Sequence, residues 1–154
     1  MAIIIENESR CPICGDVLNK SKEYILLPPL TSNTLDELFK LSDSAIHLAC
    51  LDKSYLKNKI LENLELTKQY SDRIRTLMLE NNPRDVIGFS LLSSDESELI
   101  SKYNYFIVLR KDISNWNELS NFKHIAHNFL NDNKWRGLSE FNHLQNLLDN
   151  INIK

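Results

Sequence analysis

The amino-acid sequence predicts an α+β fold, and three observations lead to this prediction. Glycine and proline are scarce, at 3 and 4 of 154 residues, which favours helices with short connections over an all-β sandwich. Apolar residues recur at helical spacing from residue 48 to about residue 82, where Pro83 ends the stretch. Two runs that are rich in β-branched and aromatic residues follow, at residues 86–92 and 103–109. We therefore expect a mixture of helices and strands.

The position of Pro83 also predicts how the chain is organised. We expect a first module at residues 1–82 with a long helical extension. Residues 83–154 then form an α+β segment packed on it, either as a second unit or as part of one continuous domain. The early elements that we expect, in chain order, are strands at residues 2–5 and 24–27 and one or two helical turns at residues 36–41.

The long helix is expected to begin near Ser42 or Ser44, since either side chain can cap a helix. Its periodic pattern exceeds thirty residues, so we expect a break near residues 52–54. In the second segment, Ser93 and Glu96 form a capping box, which predicts a short helix between the two strand-like runs. Two further helices are expected, from Ser114 to about residues 131–133 and from about Ser139 to Ile151 on Phe141, Leu144, Leu147, Leu148 and Ile151.

All three cysteines of the chain lie in two short motifs, Cys11-Pro-Ile-Cys14 and His47-Leu-Ala-Cys50. Structural Zn²⁺ is bound by four sulfur or nitrogen ligands in a tetrahedron, and three cysteines with one histidine are a standard set. We predict one structural Zn²⁺ bound by these four residues, which makes residues 1–82 a zinc-binding module. Because protein ligands take all four positions, the ion has no open position for catalysis.

The residues around the motifs support this prediction. Pro12 restricts the first loop, and Gly15 can adopt the left-handed conformation that turns backbone N–H groups towards thiolates. The second pair, at i and i+3 near the start of a helix, shares one helical face beside the positive end of the helix dipole. The alternative is three buried, reduced cysteines and a core histidine that do not meet.

With these motifs the chain resembles a treble-clef zinc finger of the kind found in small uncharacterised bacterial proteins, some of them immunity-type partners of toxins. The resemblance rests on residues 11–15 (CPICG), 27–29 (LPP) and 41–50 (LSDSAIHLAC) and covers about residues 10–55. It implies a knuckle that carries the first ligand pair, then a β-hairpin, then a helix whose first turn carries the second pair. Treble-clef fingers serve nucleases, nucleic-acid binders and protein-interaction modules alike, so the fold alone does not determine the function.

No catalytic or cofactor-binding residues are predicted beyond the metal ligands, and we expect the protein not to be an enzyme. The sequence has no glycine-rich phosphate loop and no G-x-S-x-G motif. A nuclease of the His-Asn-His type would need a general base, and His47 is already a metal ligand in our interpretation. If all three cysteines bind zinc, none is left as a nucleophile.

The net charge is −3, from 18 Lys and Arg against 21 Asp and Glu, and no long segment is strongly basic. We therefore do not expect nucleic acid as a partner, and a mildly acidic surface suits another protein. No targeting or membrane-spanning segment is recognisable, and ligand cysteines suit the reducing cytosol, so we expect a cytoplasmic protein. The function that we predict is a zinc-stabilised protein-binding protein, with an immunity or toxin-neutralising role towards the product of a neighbouring gene. The alternative is a zinc-finger protein that binds nucleic acid or is related to a nuclease.

Three further features have competing interpretations. His124 and His127 could form a second metal site with His143, but a helical wheel places both at the solvated face of their helix. The segment Trp135-Arg136-Gly137 links two helices and is interpreted as a packed corner, with a binding hot spot as the alternative because Trp and Arg are enriched in hot spots. The acidic link at residues 95–98 either faces a basic partner or is a solvated loop with a helix cap.

Overall fold

The computed structural model describes residues 3–138 and 142–152. In this part of the chain the helices are α1 (Leu48–Lys53), α2 (Lys57–Glu80), α3 (Leu119–Asn131) and α4 (His143–Asn152). The strands are β1 (Tyr24–Leu26), β2 (Ala45–His47), β3 (Val86–Phe89) and β4 (Phe106–Leu109). This mixture of helices and two small sheets confirms the α+β class. No helix in the described ranges combines the length and the apolar character needed to cross a membrane.

Both sheets are antiparallel pairs of strands. Strand β1 pairs with β2, with Tyr24 opposite His47, and β3 pairs with β4, with Val86 opposite Leu109. The strand expected at residues 2–5 is wrong for residues 3–5, and residue 2 lies outside the described residues. Residues 3–5 belong to no regular element, and a turn follows at residues 6–8, where the carbonyl of Ile5 accepts from the N–H groups of Glu8 and Ser9.

The expected start of the long helix is also wrong, because Ser42 and Ser44 have other partners. The hydroxyl of Ser42 accepts from the backbone N–H groups of Leu30 and Thr31, and that of Ser44 donates to the carbonyl of Leu41. The chain therefore passes through β2 before α1 begins at Leu48. The expected break near residues 52–54 is confirmed, since α1 ends at Lys53 and α2 begins at Lys57.

The second segment follows its prediction in outline. The two strands lie inside the predicted runs, but the capping box is not formed, because the Ser93 hydroxyl accepts from the N–H of Asp95 in a local turn. A 3₁₀ helix at Leu99–Tyr103 replaces the expected short helix. Helix α3 begins later than Ser114, which belongs to a 3₁₀ helix, and α4 begins at His143. The expected helical positions Ser139 and Phe141 lie outside the described residues.

Two clusters of buried side chains form the core. The first surrounds Phe122 and draws on β3, the 3₁₀ helix at 99–103, α3 and α4. The second surrounds Leu38 and Ile46 and contains Cys11. Leu91, from beyond Pro83, also belongs to this N-terminal cluster, so the two predicted segments share a core.

Asn33 joins the two segments by hydrogen bonds. Its side chain is 2% exposed, donates to the carbonyl of Lys134 over 3.0 Å and accepts from the N–H of Arg136 over 3.1 Å. Close by, the carboxylate of Asp36 accepts from both the N–H and the hydroxyl of Ser94, each at 2.7 Å. We call this set of bonds the Asn33 clasp.

Replacing Asn33 by Ala is expected to lower the free energy of unfolding by about 2–3 kcal/mol, because it removes the hydrogen bonds that the buried Asn33 side chain makes to the backbone of Lys134 and Arg136. Urea denaturation of the metal-loaded protein measures this change. The matched control is Asn58→Ala, at an exposed position of α2, which should stay within about 0.5 kcal/mol of the wild type. Equal effects of the two substitutions would contradict the role of the clasp.

Candidate metal centre

The first cysteine pair lies on a tight turn that is closed by backbone hydrogen bonds. The N–H of Gly15 donates to the carbonyl of Cys11 over 2.8 Å, and the N–H of Cys11 donates to the carbonyl of Asp16 over 2.9 Å. Gly15 has φ +76°, in the left-handed region that its sequence position predicts. The guanidinium of Arg10 donates to the Gly15 carbonyl at 2.9 Å, so the turn is braced from outside.

The second pair spans the junction between a strand and a helix. His47 is the last residue of β2, and Cys50 lies in the first turn of α1. The prediction that both residues lie in the helix is therefore correct for Cys50 only. The backbone of His47 is extended, with ψ 135°, and directs the imidazole ring towards the turn that carries Cys11 and Cys14. Helix α1 places the side chain of Cys50 beside the same turn.

The structure brings all four predicted residues together. One ligand atom from each of Cys11, Cys14, His47 and Cys50 lies within 4.8 Å of the others. In a tetrahedral zinc site with Zn–S bonds of about 2.3 Å, sulfur atoms are roughly 3.8 Å apart, so the observed spacing is close to that of a loaded site. The cluster is compatible with one bound metal ion.

Burial within the cluster is uneven. Cys11 and His47 are 1% and 2% exposed, Cys50 is half-buried and Cys14 is exposed. The Nδ1 atom of His47 lies 3.4 Å from the Cys14 sulfur, so this nitrogen faces the thiols. Nε2 is buried and has no hydrogen-bond partner among the described residues. If Nδ1 binds the ion, Nε2 carries the ring proton, and the ring orientation is fixed by packing and by the metal.

The thiols differ in how readily they ionise. Burial raises the pKa of Cys11, but hydrogen bonds from the backbone N–H groups of Cys14, His47 and Ile13 outweigh it and bring the pKa below its usual value. Burial, reinforced by the neighbouring thiols of Cys14 and Cys11, raises the pKa of Cys50 to about 11. The raised pKa of Cys50 therefore favours its protonated thiol at neutral pH until a cation binds.

A lysine beside the site was not predicted. Lys22 forms an ion pair with Asp16 at 2.8 Å, and this pair, together with the nearby sulfurs of Cys14 and Cys50, raises the pKa of the lysine. A positive charge at this position favours thiolates on both cysteines. The sequence carries no signal for the pair, because residues six apart in a loop have no fixed spacing.

The other candidate residues behave as ordinary surface and core groups. His124 and His127 are exposed, and neither belongs to a group of His, Cys, Asp and Glu side chains that could hold a metal in the described ranges. The Nε2 atom of His124 lies 3.1 Å from the side-chain amide nitrogen of Asn128 on the same helix. Trp135 is buried and packs edge-on against Phe89, with ring centroids 5.6 Å apart, in line with the prediction of a packed corner.

Comparisons with protein families, with curated proteins and with solved structures find no match to this chain. The resemblance to treble-clef fingers therefore rests on the ligand motifs and their neighbouring residues.

Proposed function

We propose that this chain is a cytoplasmic, non-enzymatic protein-binding protein in which a treble-clef-like module is held together by one structural Zn²⁺. The proposal that the chain binds another protein is supported by an acidic groove between the two segments of the chain. In its most specific form, the proposal is an immunity-type protein that neutralises a toxin encoded by a neighbouring gene.

The donor set supports zinc. Three thiols and one imidazole match the ligands that zinc prefers in closed tetrahedral sites. Cys11 is part of the N-terminal core beside Leu18 and Leu27, so an ion bound there would fasten the knuckle to that core. The knuckle, the β1–β2 hairpin and α1 follow one another in the order that a treble clef requires. Sulfur ligands of this kind persist in a reducing compartment such as the cytosol.

The groove has a volume of about 620 Å³ and is lined by residues of both segments. We call it the junction groove. It adjoins a second cavity of about 480 Å³, with Glu98, Phe129 and Lys134 shared between the two. The two cavities lie where the Asn33 clasp holds the segments together. Together they form an extended concave surface that a partner can contact.

The charge of the junction groove is negative. Its charged lining residues are four acids, Asp36, Glu37, Asp95 and Glu98, against two bases, Lys59 and Lys134. The bases are already paired, Lys59 with Glu37 and Lys134 with Glu98 at 2.8 Å. Four negative and two positive side chains leave a formal charge of −2, which favours a basic segment on the partner.

Two of the carboxylates are held in place. Asp36 accepts the hydrogen bonds from Ser94 in the Asn33 clasp and one from the N–H of Leu38 at 2.9 Å. Asp95 accepts from the hydroxyl and the N–H of Ser97, and these bonds lower the pKa of Asp95. Carboxylates fixed in this way suit recognition of cationic groups because little side-chain entropy is lost on binding.

Elemental analysis of the purified protein is expected to find about one zinc per chain. His47→Gln should lose the metal and lower the melting temperature, because metal binding contributes to folding free energy at such sites. The control His124→Gln removes an exposed histidine outside the cluster and should keep both the zinc and the melting temperature. Retention of full zinc content by His47→Gln would contradict the assignment of this ligand.

Metal binding at neutral pH is expected to release the proton of Cys50, because its pKa of about 11 keeps the metal-free thiol protonated. Apparent affinity should therefore fall as the pH falls, since protons compete with the metal for the thiolates. Calorimetric titration in two buffers with different ionisation enthalpies counts the protons released. Cys50→Ser should release at least one proton fewer per ion, and an unchanged proton count would show that Cys50 is not a ligand.

The protein-binding proposal is tested with the purified product of the adjacent gene. We expect a saturable complex that weakens as salt is added, and roughly tenfold weaker binding for Asp95→Asn. The matched control is Asp72→Asn, at an exposed position of α2 away from the junction groove. Absence of a complex would overturn the immunity-type form of the proposal. Equal weakening by the two variants would exclude the junction groove as its interface.

A further inference from the structure

A third groove, of about 410 Å³, differs from the junction groove in its charge. Arg84, Arg110 and His143 line it, together with Asn146 and Asn150. No Asp or Glu is among the lining residues that the structure describes. In a chain with a net charge of −3, this is a local concentration of basic groups. We call it the arginine groove.

The hairpin explains how the two arginines come together. Val86 and Leu109 are the register partners at the open end of the β3–β4 sheet. Arg84 precedes the first of these strands by two residues, and Arg110 directly follows the second, so both lie at the same end of the hairpin. Helix α4 forms the other wall, where the Arg110 Nη1 donates to the carbonyl of Asn150 over 3.2 Å.

The positive charge of the arginine groove is incompletely neutralised. The carboxylate of Asp85 lies 3.8 Å from the Nε of Arg110, which is a long contact at the surface. Among the ion pairs of the described residues, none involves the side chain of Arg84. Arg110 has five N–H donors, and the contacts to Asp85 and Asn150 leave some of them for a ligand.

We propose that the arginine groove binds a phosphate monoester. Arginine forks match the oxygen geometry of phosphate groups, and amide and imidazole N–H groups can complete the hydrogen bonds. The volume lies within the range of small-molecule sites, about 300–1,000 Å³, so there is room for the organic part of an ester beside the phosphate. Val86, Ile87 and Leu147 supply apolar surface for that part. This inference is independent of the protein-binding proposal, because the two grooves have different lining residues.

The test uses the full-length, metal-loaded protein and nuclear magnetic resonance titrations with inorganic phosphate, adenosine monophosphate and O-phosphoserine. Adenosine and serine serve as unphosphorylated controls. We expect saturable shifts confined to residues that line the arginine groove, and none with the two controls. Tighter binding of the nucleotide would identify a nucleotide-like ester, and tighter binding of phosphoserine a phosphorylated side chain. Equal binding of both esters would show that the phosphate alone is recognised.

Arg84→Gln should weaken ester binding at least tenfold, because it removes charge-assisted hydrogen bonds. The control Lys111→Gln makes the same change in net charge at an exposed position outside the groove lining and should leave the affinity within twofold. A second variant, Asn146→Asp, places a carboxylate in the groove and should abolish binding without disturbing the core. Absence of saturable binding, equal effects of Arg84→Gln and Lys111→Gln, or equal binding of adenosine and its monophosphate would each overturn the proposal.

Discussion

The buried side chain of Asn33 is the interaction on which the arrangement of the two segments depends. It satisfies backbone groups of the loop at 134–136, one hundred residues further along the chain, while its own loop leads into the N-terminal core. A buried side-chain amide is tolerated only if its N–H and carbonyl groups are hydrogen-bonded, because each unpaired buried polar group lowers the free energy of unfolding by about 1–3 kcal/mol. The carboxylate of Asp36 adds a second connection at Ser94. The junction groove exists because these bonds hold its two walls at a fixed distance.

At the candidate metal centre the constraint is ionisation, because metal binding needs the thiolate form of each cysteine and the raised pKa of Cys50 favours its protonated thiol. Burial, reinforced by the neighbouring thiols, raises the pKa of Cys50 to about 11, while hydrogen bonds from backbone N–H groups lower the pKa of Cys11. The four side chains therefore already lie close together, but the thiols do not all carry the negative charge that metal binding requires. A divalent ion shifts this balance, because its attraction to thiolates favours release of the thiol protons. This is the physical reason for expecting the N-terminal module to depend on metal for its stability.

The sequence predicted features that depend on residues close together in the chain, and it did not predict features that depend on hydrogen bonds between residues far apart in the chain. The short spacing within each motif predicts that its two side chains can reach one ion, and the structure brings Cys11, Cys14, His47 and Cys50 together although His47 lies at the end of β2 and not in the helix. The helix start near Ser42 was wrong because a serine that can cap a helix can equally bind the backbone of a remote loop, here at Leu30 and Thr31. The acidic link at residues 95–98, of which Asp95 and Glu98 line the junction groove, was expected either to face a basic partner or to be a solvated loop. The Asn33 clasp and the assembly of the two grooves were not predicted. Their members are scattered along the chain and have no periodicity.

The two grooves also show why an average charge is a poor guide to what a protein binds. A net charge of −3 with no basic segment argues against a long polyanion, which needs an extended positive surface. A compact anion requires only two or three converging donors, and folding can supply these from residues that are isolated in sequence. Arg84 and Arg110 lie twenty-six positions apart, yet the register of β3 and β4 places them at one end of a hairpin. The same folding collects four carboxylates in the junction groove. Because the charges are separated in this way, one mildly acidic protein has an acidic surface suited to a cationic ligand and a basic surface suited to an anionic ligand.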